Sequence, residues 1–334
     1  MLASAPLGNA ERALTWANPQ APAISFYPNA GVVADFNGDG IPDLAVANSS
    51  GDTLTILLGN GDGTFTAVAS SPQTGNDPYY VVAGDFNGDC RSDILWRNSS
   101  SEEAYVWLMN GTSILNQGSP GGPSSAWVIE GVGDFNGDGM SDILWQNSST
   151  GEVYIWLING TSIANQGSPG TVSPSSGWVI AGVGDFNGDG KADILWQNST
   201  SGEIYIWLMN GTAIASQGSP GAVSASSGWV IQGAGDFDGN GTSDILWRNS
   251  SSGEIYIWFM SGTTITNQGS PGTVSTGWGI KGAGDYNGDG KTDILWQNST
   301  SGEVYIWEMN GLTITSQGSP GTVSSPWQIS TLSP

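Results

Sequence analysis

Residues 178–221 read WVIAGVGDFNGDGKADILWQNSTSGEIYIWLMNGTAIASQGSPG. Four short segments stand out: WVIAGVG, DILWQN, EIYIWLM and AIASQG. They are rich in β-branched and aromatic residues, which favour strands. An acidic, glycine-rich loop separates the first from the second. STSG and NGT join the others, and Ser, Thr, Asn and Gly suit tight hairpin connections. Glycines interrupt every window that could hold a helical period.

The acidic loop recurs, starting at Asp35, Asp85, Asp134, Asp185, Asp236 and Asp285. A period near 50 residues with four strands in each fits one blade of a propeller. The chain therefore reads as all-β, a single β-propeller domain over residues 1–334 built from four-stranded blades. Residues 7–20, LGNAERALTWANPQ, resemble residues 58–73, LGNGDGTFTAVASSPQ. SPWQIST, residues 325–331, resembles a first strand. Six full repeats plus a composite blade from both termini predict a seven-bladed ring, whose joined ends would hide the sheet edges. Six blades with loose ends is the alternative, and pairing of the ends between molecules, head to tail, is a third arrangement.

Composition narrows the function. The chain has 334 residues, a net charge of −23, one cysteine and no histidine. Its seven Lys and Arg argue against nucleic-acid binding by phosphate neutralisation. No apolar run reaches the roughly 18 residues that a membrane span needs. The start, MLASAPLGNAERAL, shows neither the basic nor the apolar region of a signal peptide, so a mature or excised segment is expected. A lone cysteine excludes an intramolecular disulfide framework.

The acidity is concentrated in the loops. Eighteen of the 30 acidic residues lie there, three in each. Six divalent cations would bring the charge from −23 to −11. Position 1 of each loop is Asp35, Asp85, Asp134, Asp185, Asp236 or Asp285. Position 3 is Asn37, Asn87, Asn136, Asn187, Asp238 or Asn287. Position 5 is Asp39, Asp89, Asp138, Asp189, Asn240 or Asp289. Position 9 is Asp43, Asp93, Asp142, Asp193, Asp244 or Asp293. Where Asp238 and Asn240 exchange types, the loop still holds three carboxylates and one amide. Constant charge across a swap is what a cation site needs. Oxygen donors without histidine favour a hard cation over zinc or copper, and a flexible loop suits Ca2+ better than Mg2+. Up to six Ca2+ ions are expected, held by side-chain oxygens at these four positions. The carbonyl of position 7 would join them: Ile41, Arg91, Met140, Lys191, Thr242 or Lys291. Position 12 is Val46 or a tryptophan, not the bidentate Glu of an EF-hand, so a calcium hairpin between two strands is the reading. The competing reading, that Asp, Asn and Gly merely make turns, is weakened by six copies.

The loop DFNGDGKADI resembles the calcium loop of FG-GAP (VCBS-type) repeats, the units of integrin-α-like β-propellers. The resemblance runs from about residue 24 to residue 331. It implies a seven-bladed ring with calcium in the blade loops. The signature of that family is present only as GDF and GSPG.

Fifteen of the 16 tryptophans form three columns. The second and third columns in repeat order lie inside strands: Trp96, Trp145, Trp196, Trp247 and Trp296, and Trp107, Trp156, Trp207, Trp258 and Trp307. These are read as core packing between blades. The remaining column is Trp127, Trp178, Trp229, Trp278 and Trp327, which follows flexible Ser/Gly segments. It is the candidate ligand-binding column, since an indole face stacks on the C–H face of a sugar. A fungal lectin family that resembles integrin propellers binds sugars between blades, an analogy pointing the same way.

Glu152, Glu203, Glu254 and Glu303 recur at the start of the third strand. Paired carboxylates can hydrolyse glycosides, but blade symmetry keeps these copies apart. Cys90 has no histidine partner and occupies a loop position that is glycine in the other five copies. Nine N-x-S/T sequons fall at the hairpin turns. The expectation is a non-enzymatic, secreted or cell-surface module for binding or adhesion, stabilised by calcium, with a glycan or cell-surface ligand. A self-assembling extracellular fibre or surface-layer subunit is the alternative, and a polysaccharide-active enzyme the third.

Overall fold

The computed structural model describes residues 28–48, 52–60, 65–67, 72–74 and 78–322. These residues form six antiparallel four-stranded sheets, each built from consecutive strands. Blade 1 comprises Pro28–Ala34, Asp43–Asn48, Thr53–Gly59 and Phe65–Ala67. Blade 2 comprises Pro78–Gly84, Asp93–Asn98, Ala104–Asn110 and Ser113–Gly121. Blade 3 comprises Trp127–Gly133, Asp142–Asn147, Glu152–Asn159 and Ser162–Thr171. Blade 4 comprises Trp178–Gly184, Asp193–Asn198, Glu203–Asn210 and Ala213–Ala222. Blade 5 comprises Trp229–Gly235, Asp244–Asn249, Glu254–Ser261 and Thr264–Thr273. Blade 6 comprises Trp278–Gly284, Asp293–Asn298, Glu303–Asn310 and Thr313–Thr322.

The described residues make six blades, one for each acidic loop, which matches the six-bladed alternative and not the seven-bladed main expectation. Residues 7–20 and 325–331, from which the composite blade was expected, lie outside the described residues. Two further features were not expected. Short 3-10 turns at Pro174–Ser176 and Ala225–Ser227 bridge blades 3 to 4 and 4 to 5. A register shift interrupts every described first strand, between Ile180 and Gly182 in blade 4 for example.

Two forces hold the blades side by side. The apolar core lies between neighbouring blades: Phe86, Leu95 and Val106 of blade 2 pack with Ile143, Trp145 and Trp156 of blade 3. The acidic loops also bond to one another in one direction. Ser92 N donates to Asp35 O, Ser141 N to Asp85 O, Ala192 N to Asp134 O, Ser243 N to Asp185 O and Thr292 N to Asp236 O, all at 2.6–2.8 Å. Gly111, Gly160, Gly211, Gly262 and Gly311 repeat the pattern onto the carbonyl one residue later in the preceding loop. Each new blade thus caps the loop of the blade before it, and the acidic loops line up on one edge of the assembly.

Candidate metal centres and interblade aromatic clefts

The third loop shows how each acidic hairpin is built. Asp134 Oδ1 accepts from Gly137 N at 2.7 Å, and its Oδ2 accepts from Gly139 N at 2.8 Å. Asn136 Oδ1 accepts from Asp138 N, and Asp138 Oδ1 from Met140 N. Asp142 ties the loop to the sheet, taking Phe135 N at 2.9 Å and Ile158 N of the third strand at 2.8 Å. Gly137 and Gly139 have φ of 79° and 83°, the left-handed region that favours glycine. Cys90, in the place of the second of these, has φ 63° and still donates its N–H to Asp85 Oδ2.

The position-9 carboxylates are the most unusual groups in the loops. Asp43, Asp93, Asp142, Asp193, Asp244 and Asp293 are all fully buried. Burial pushes Asp93, Asp142, Asp193 and Asp244 up to about 7 and Asp293 to about 6, against two amide bonds that favour the charge. The position-1 and position-5 carboxylates add repulsion: Asp134 and Asp138 act on Asp142. A buried carboxylate repelled by its neighbours is a group that a cation would stabilise. In blade 5 the carboxylates of Asp236, Asp238 and Asp244 have ligand atoms within 4.8 Å of one another, a spacing that fits a single ion. All the side-chain donors are oxygens, so Ca2+ fits the set best.

The position-5 side chains behave differently. Asp89, Asp189 and Asp289 lie 3.4–3.5 Å from Arg91, Lys191 and Lys291 of their own loops. Asp39 and Asp138 Oδ2 take the Nδ2 of Asn37 and Asn136. The position-7 residues Ile41, Arg91, Met140, Lys191, Thr242 and Lys291 each donate a backbone N–H to the position-5 side chain. Each loop is therefore preshaped by its own hydrogen bonds, with positions 1, 3 and 9 as its inner donors in blade 5.

A second recurring site lies between blades. The two strand-embedded tryptophan columns are core: Trp145, Trp196, Trp247 and Trp296 are 1% exposed, and Trp156, Trp207, Trp258 and Trp307 are 7–8% exposed. Paired indoles from the two columns sit tilted, 4.9–5.1 Å apart in blades 3 to 6. Trp127, Trp178, Trp229 and Trp278 are only half-buried, whereas Trp327 lies outside the described residues. Each of the four meets a tyrosine edge-on at 5.8–6.0 Å: Tyr154, Tyr205, Tyr256 and Tyr305. The result is a shallow aromatic cleft. One of about 200 Å³ is lined by Val223, Trp229, Trp247, Tyr256 and Trp258. Its counterpart of about 140 Å³ is lined by Val274, Trp278, Trp296, Tyr305 and Trp307. Val223 and Val274 come from the tail of the preceding blade, so each cleft belongs to a blade boundary. Ser199, Thr200 and Asn198 lie beside Gly177, the residue before Trp178.

Sequence reasoning missed the residue after the second-column tryptophan. It is Arg97, Gln146, Gln197, Arg248 and Gln297 in blades 2 to 6. Both arginines lie over the second-column tryptophan of the next blade, 5.2 Å from the Trp145 ring and 5.3 Å from the Trp296 ring. Aligning the repeats exposes the alternation, but only the fold shows that the side chain crosses to the neighbouring blade. The glutamates at the third-strand starts stand one per blade in blades 3 to 6 and are half-buried.

Fold and loops together define a β-propeller of four-stranded blades with an Asp-rich hairpin in each. The FG-GAP-like repeat matches residues 35–96, 134–196, 185–247 and 236–296. The chain belongs to the FG-GAP-like repeat family. No curated protein matches the sequence. Among solved structures it is similar to BBS1N, crystallised in complex with ARL6DN, at 15% identity and TM-score 0.53, over 91% of this chain and 86% of that one. A protein of unknown function from Desulfotomaculum acetoxidans is similar at 12% identity and TM-score 0.54, over 90% and 89%. The Cps50 (Swd1) β-propeller domain of Myceliophteria thermophila is similar at 11% identity and TM-score 0.54, over 92% and 89%. At such identities the likeness concerns the fold alone.

Proposed function

We propose that the chain is a calcium-stabilised binding module, secreted or displayed at a cell surface, whose ligand is carbohydrate. The observation that carries this reading is the aromatic cleft repeated at successive blade boundaries. A half-exposed indole beside a tyrosine suits the apolar C–H face of a sugar ring. The clefts are small beside the about 300–1,000 Å³ of sites that enclose drug-sized ligands, so each suits one ring of a chain. Several such sites gain useful avidity on a repeating glycan. Calcium has a structural role: each ion offsets carboxylate repulsion and pins the first two strands of its blade. The module is not an enzyme on this reading, because the recurrent glutamates stand apart and the clefts lack a carboxylate pair.

Ring closure by a seventh blade is part of the same proposal. By sequence, residues 325–331 align Trp327 with Trp278 and resemble a first strand, and residues 7–20 resemble residues 58–73, so together they would supply strands of one further blade. Head-to-tail assembly into a fibre is less well supported. Pro42 stands where later blades place the donating amide, and it has no N–H to offer a preceding loop.

A glycan array followed by calorimetry tests the ligand class. We expect binding to oligosaccharides that Trp229→Ala and Trp278→Ala each weaken at least tenfold without unfolding the protein. An array without a hit, for protein shown to be folded and calcium-loaded, would overturn the carbohydrate reading.

A further inference from the structure

Arg97 and Arg248 occupy the same place in blades 2 and 5, but only one is neutralised. Arg97 NH2 lies 2.9 Å from Glu102 Oε2 and its side chain is 4% exposed. Its Nε donates to Glu102 O, and its other nitrogens reach Trp127 O, Pro123 O and Ser124 O. Glu102 adopts φ 62° at a position that is Gly151, Gly202, Gly253 or Gly302 in blades 3 to 6. Blade 2 thus accepts a strained backbone that carries a counter-charge for Arg97.

Arg248 has no such partner. Among the described residues its hydrogen bond is from NH2 to Ser275 O at 3.1 Å, and its Nε is buried without an acceptor. No carboxylate pairs with it among the described residues, and burial lowers its pKa. Gly253 cannot supply one in the manner of Glu102, because a Cβ there would collide with Val274 O. A half-buried cation without an anion is costly, and the guanidinium fork matches a carboxylate. The place is informative. Its acceptor Ser275 directly follows Val274 in the chain, and Trp296 lies under the guanidinium, so Arg248 borders one wall of the blade 5–6 cleft.

We propose that the cleft between blades 5 and 6 selects an acidic sugar: a pyranose ring packs against Trp278, and the carboxylate of a uronic acid residue pairs with Arg248. This rests on the carbohydrate reading and adds charge selectivity to one cleft. The blade 4–5 cleft, with Gln197 at the equivalent position, takes neutral rings.

The test is calorimetry on the intact, calcium-loaded chain with glucuronate and galacturonate oligomers and with their methyl esters, which keep the rings and remove the charge. Acid forms should bind at least tenfold more tightly than the esters. Arg248→Gln, which installs the residue of blades 3, 4 and 6, should abolish that preference by weakening acid binding to the level of the ester. Equal affinity for acid and ester, or a preference that survives Arg248→Gln, would overturn the proposal and leave the carbohydrate reading standing. Competition by acetate as strong as by the uronate oligomers would overturn it too, marking a bare anion pocket. Failure of acid, ester and every arrayed neutral glycan alike would overturn the carbohydrate reading and this proposal together.

Discussion

Blade 2 and blade 5 share four strands, an acidic loop and two buried tryptophans, yet their aromatic residues are arranged differently. In blade 2, Trp96 and Tyr105 lie nearly parallel, 12° apart in plane with centroids 4.6 Å apart. In blade 5, Trp229 meets Tyr256 edge-on at 5.8 Å, and a cleft remains between them and Trp247. The difference begins in the first strand, which opens with Pro78 in blade 2 and with Trp229 in blade 5. Without a first-column indole, the tyrosine settles on the core tryptophan, and its hydroxyl bonds Glu103 Oε2 at 2.6 Å. The first-column tryptophan therefore props a slot open, and the other two columns fill the core. The acidic loop is common to both blades, whereas the edge-on Trp–Tyr pair is not.

That separation of roles can be broken most severely by removing calcium. Each ion at a hundredfold excess over its Kd would add about 2.7 kcal/mol to stability, and six loops share the effect. Chelation should therefore lower the melting temperature steeply, and re-addition should restore it. Blade 2 and blade 5 should respond alike, because both carry the loop. Calorimetry with verified metal removal checks this, and an unchanged melt would sink the structural role of calcium.

The tryptophan columns provide the next contrast. Trp247→Ala removes a buried indole packed against Trp258 and should cost about 3–5 kcal/mol in urea unfolding. Trp229→Ala removes a half-exposed one and should cost less than about 1.5 kcal/mol, while Tyr256 moves onto Trp247 as Tyr105 does on Trp96. Near-ultraviolet circular dichroism would register the new stack. Equal stability losses at the two positions would contradict the division into core and prop.

Much of this was legible in the sequence. The period, the strand order within a blade and the core role of two tryptophan columns follow from residue types repeated at fixed spacing. The clefts were legible only in part: Trp229 could be singled out, but not its edge-on partner Tyr256, which lies on another strand. Arg97 and Glu102 looked unrelated to Trp127, because the fold alone brings Arg97 to the Trp127 carbonyl across a blade boundary. The blade count was legible only in part, because residues 7–20 and 325–331 resemble strands without showing what they pair with. Similarity identifies strands, but forming a sheet requires their pairing, and the pairing described involves six.

The boundary between blades 2 and 3 offers a milder test. Glu130, in the first strand of blade 3, is pushed up to about 7 by burial, and the pKa of Tyr80 of blade 2 is raised by its own burial and secondarily by the Glu130 charge. A carboxyl group that ionises less readily in the folded state favours folding at low pH. Its contribution is complete below the ordinary value of 4.5 and is lost as pH rises through 7. Glu130→Gln, which copies Gln232 of blade 5, should leave stability at pH 4 unchanged. At pH 8 it should add on the order of 1–2 kcal/mol, after allowance for partial exposure. Urea titrations at the two pH values check this, and an equal gain at both would mean that packing and not ionisation sets the effect.

The smallest expected effect separates blade 2 from the others within the loop itself. Cys90 holds φ 63° where Gly40, Gly139, Gly190, Gly241 and Gly290 hold 77–86°. An L-residue there pays about 1–2 kcal/mol for its Cβ, and the side chain is exposed, so no packing is gained in return. The amide nevertheless keeps its bond to Asp85 Oδ2 at 2.8 Å, within 0.1 Å of the glycine loops. Strain is therefore present in a loop whose hydrogen bonds are already correct, and relieving it should not reshape the site. Cys90→Gly should raise stability by about 1 kcal/mol and strengthen calcium binding at the blade 2 loop alone. Site-resolved titration separates this from a general effect: a gain at every loop, or at none, would mean that the turn conformation is not what distinguishes blade 2.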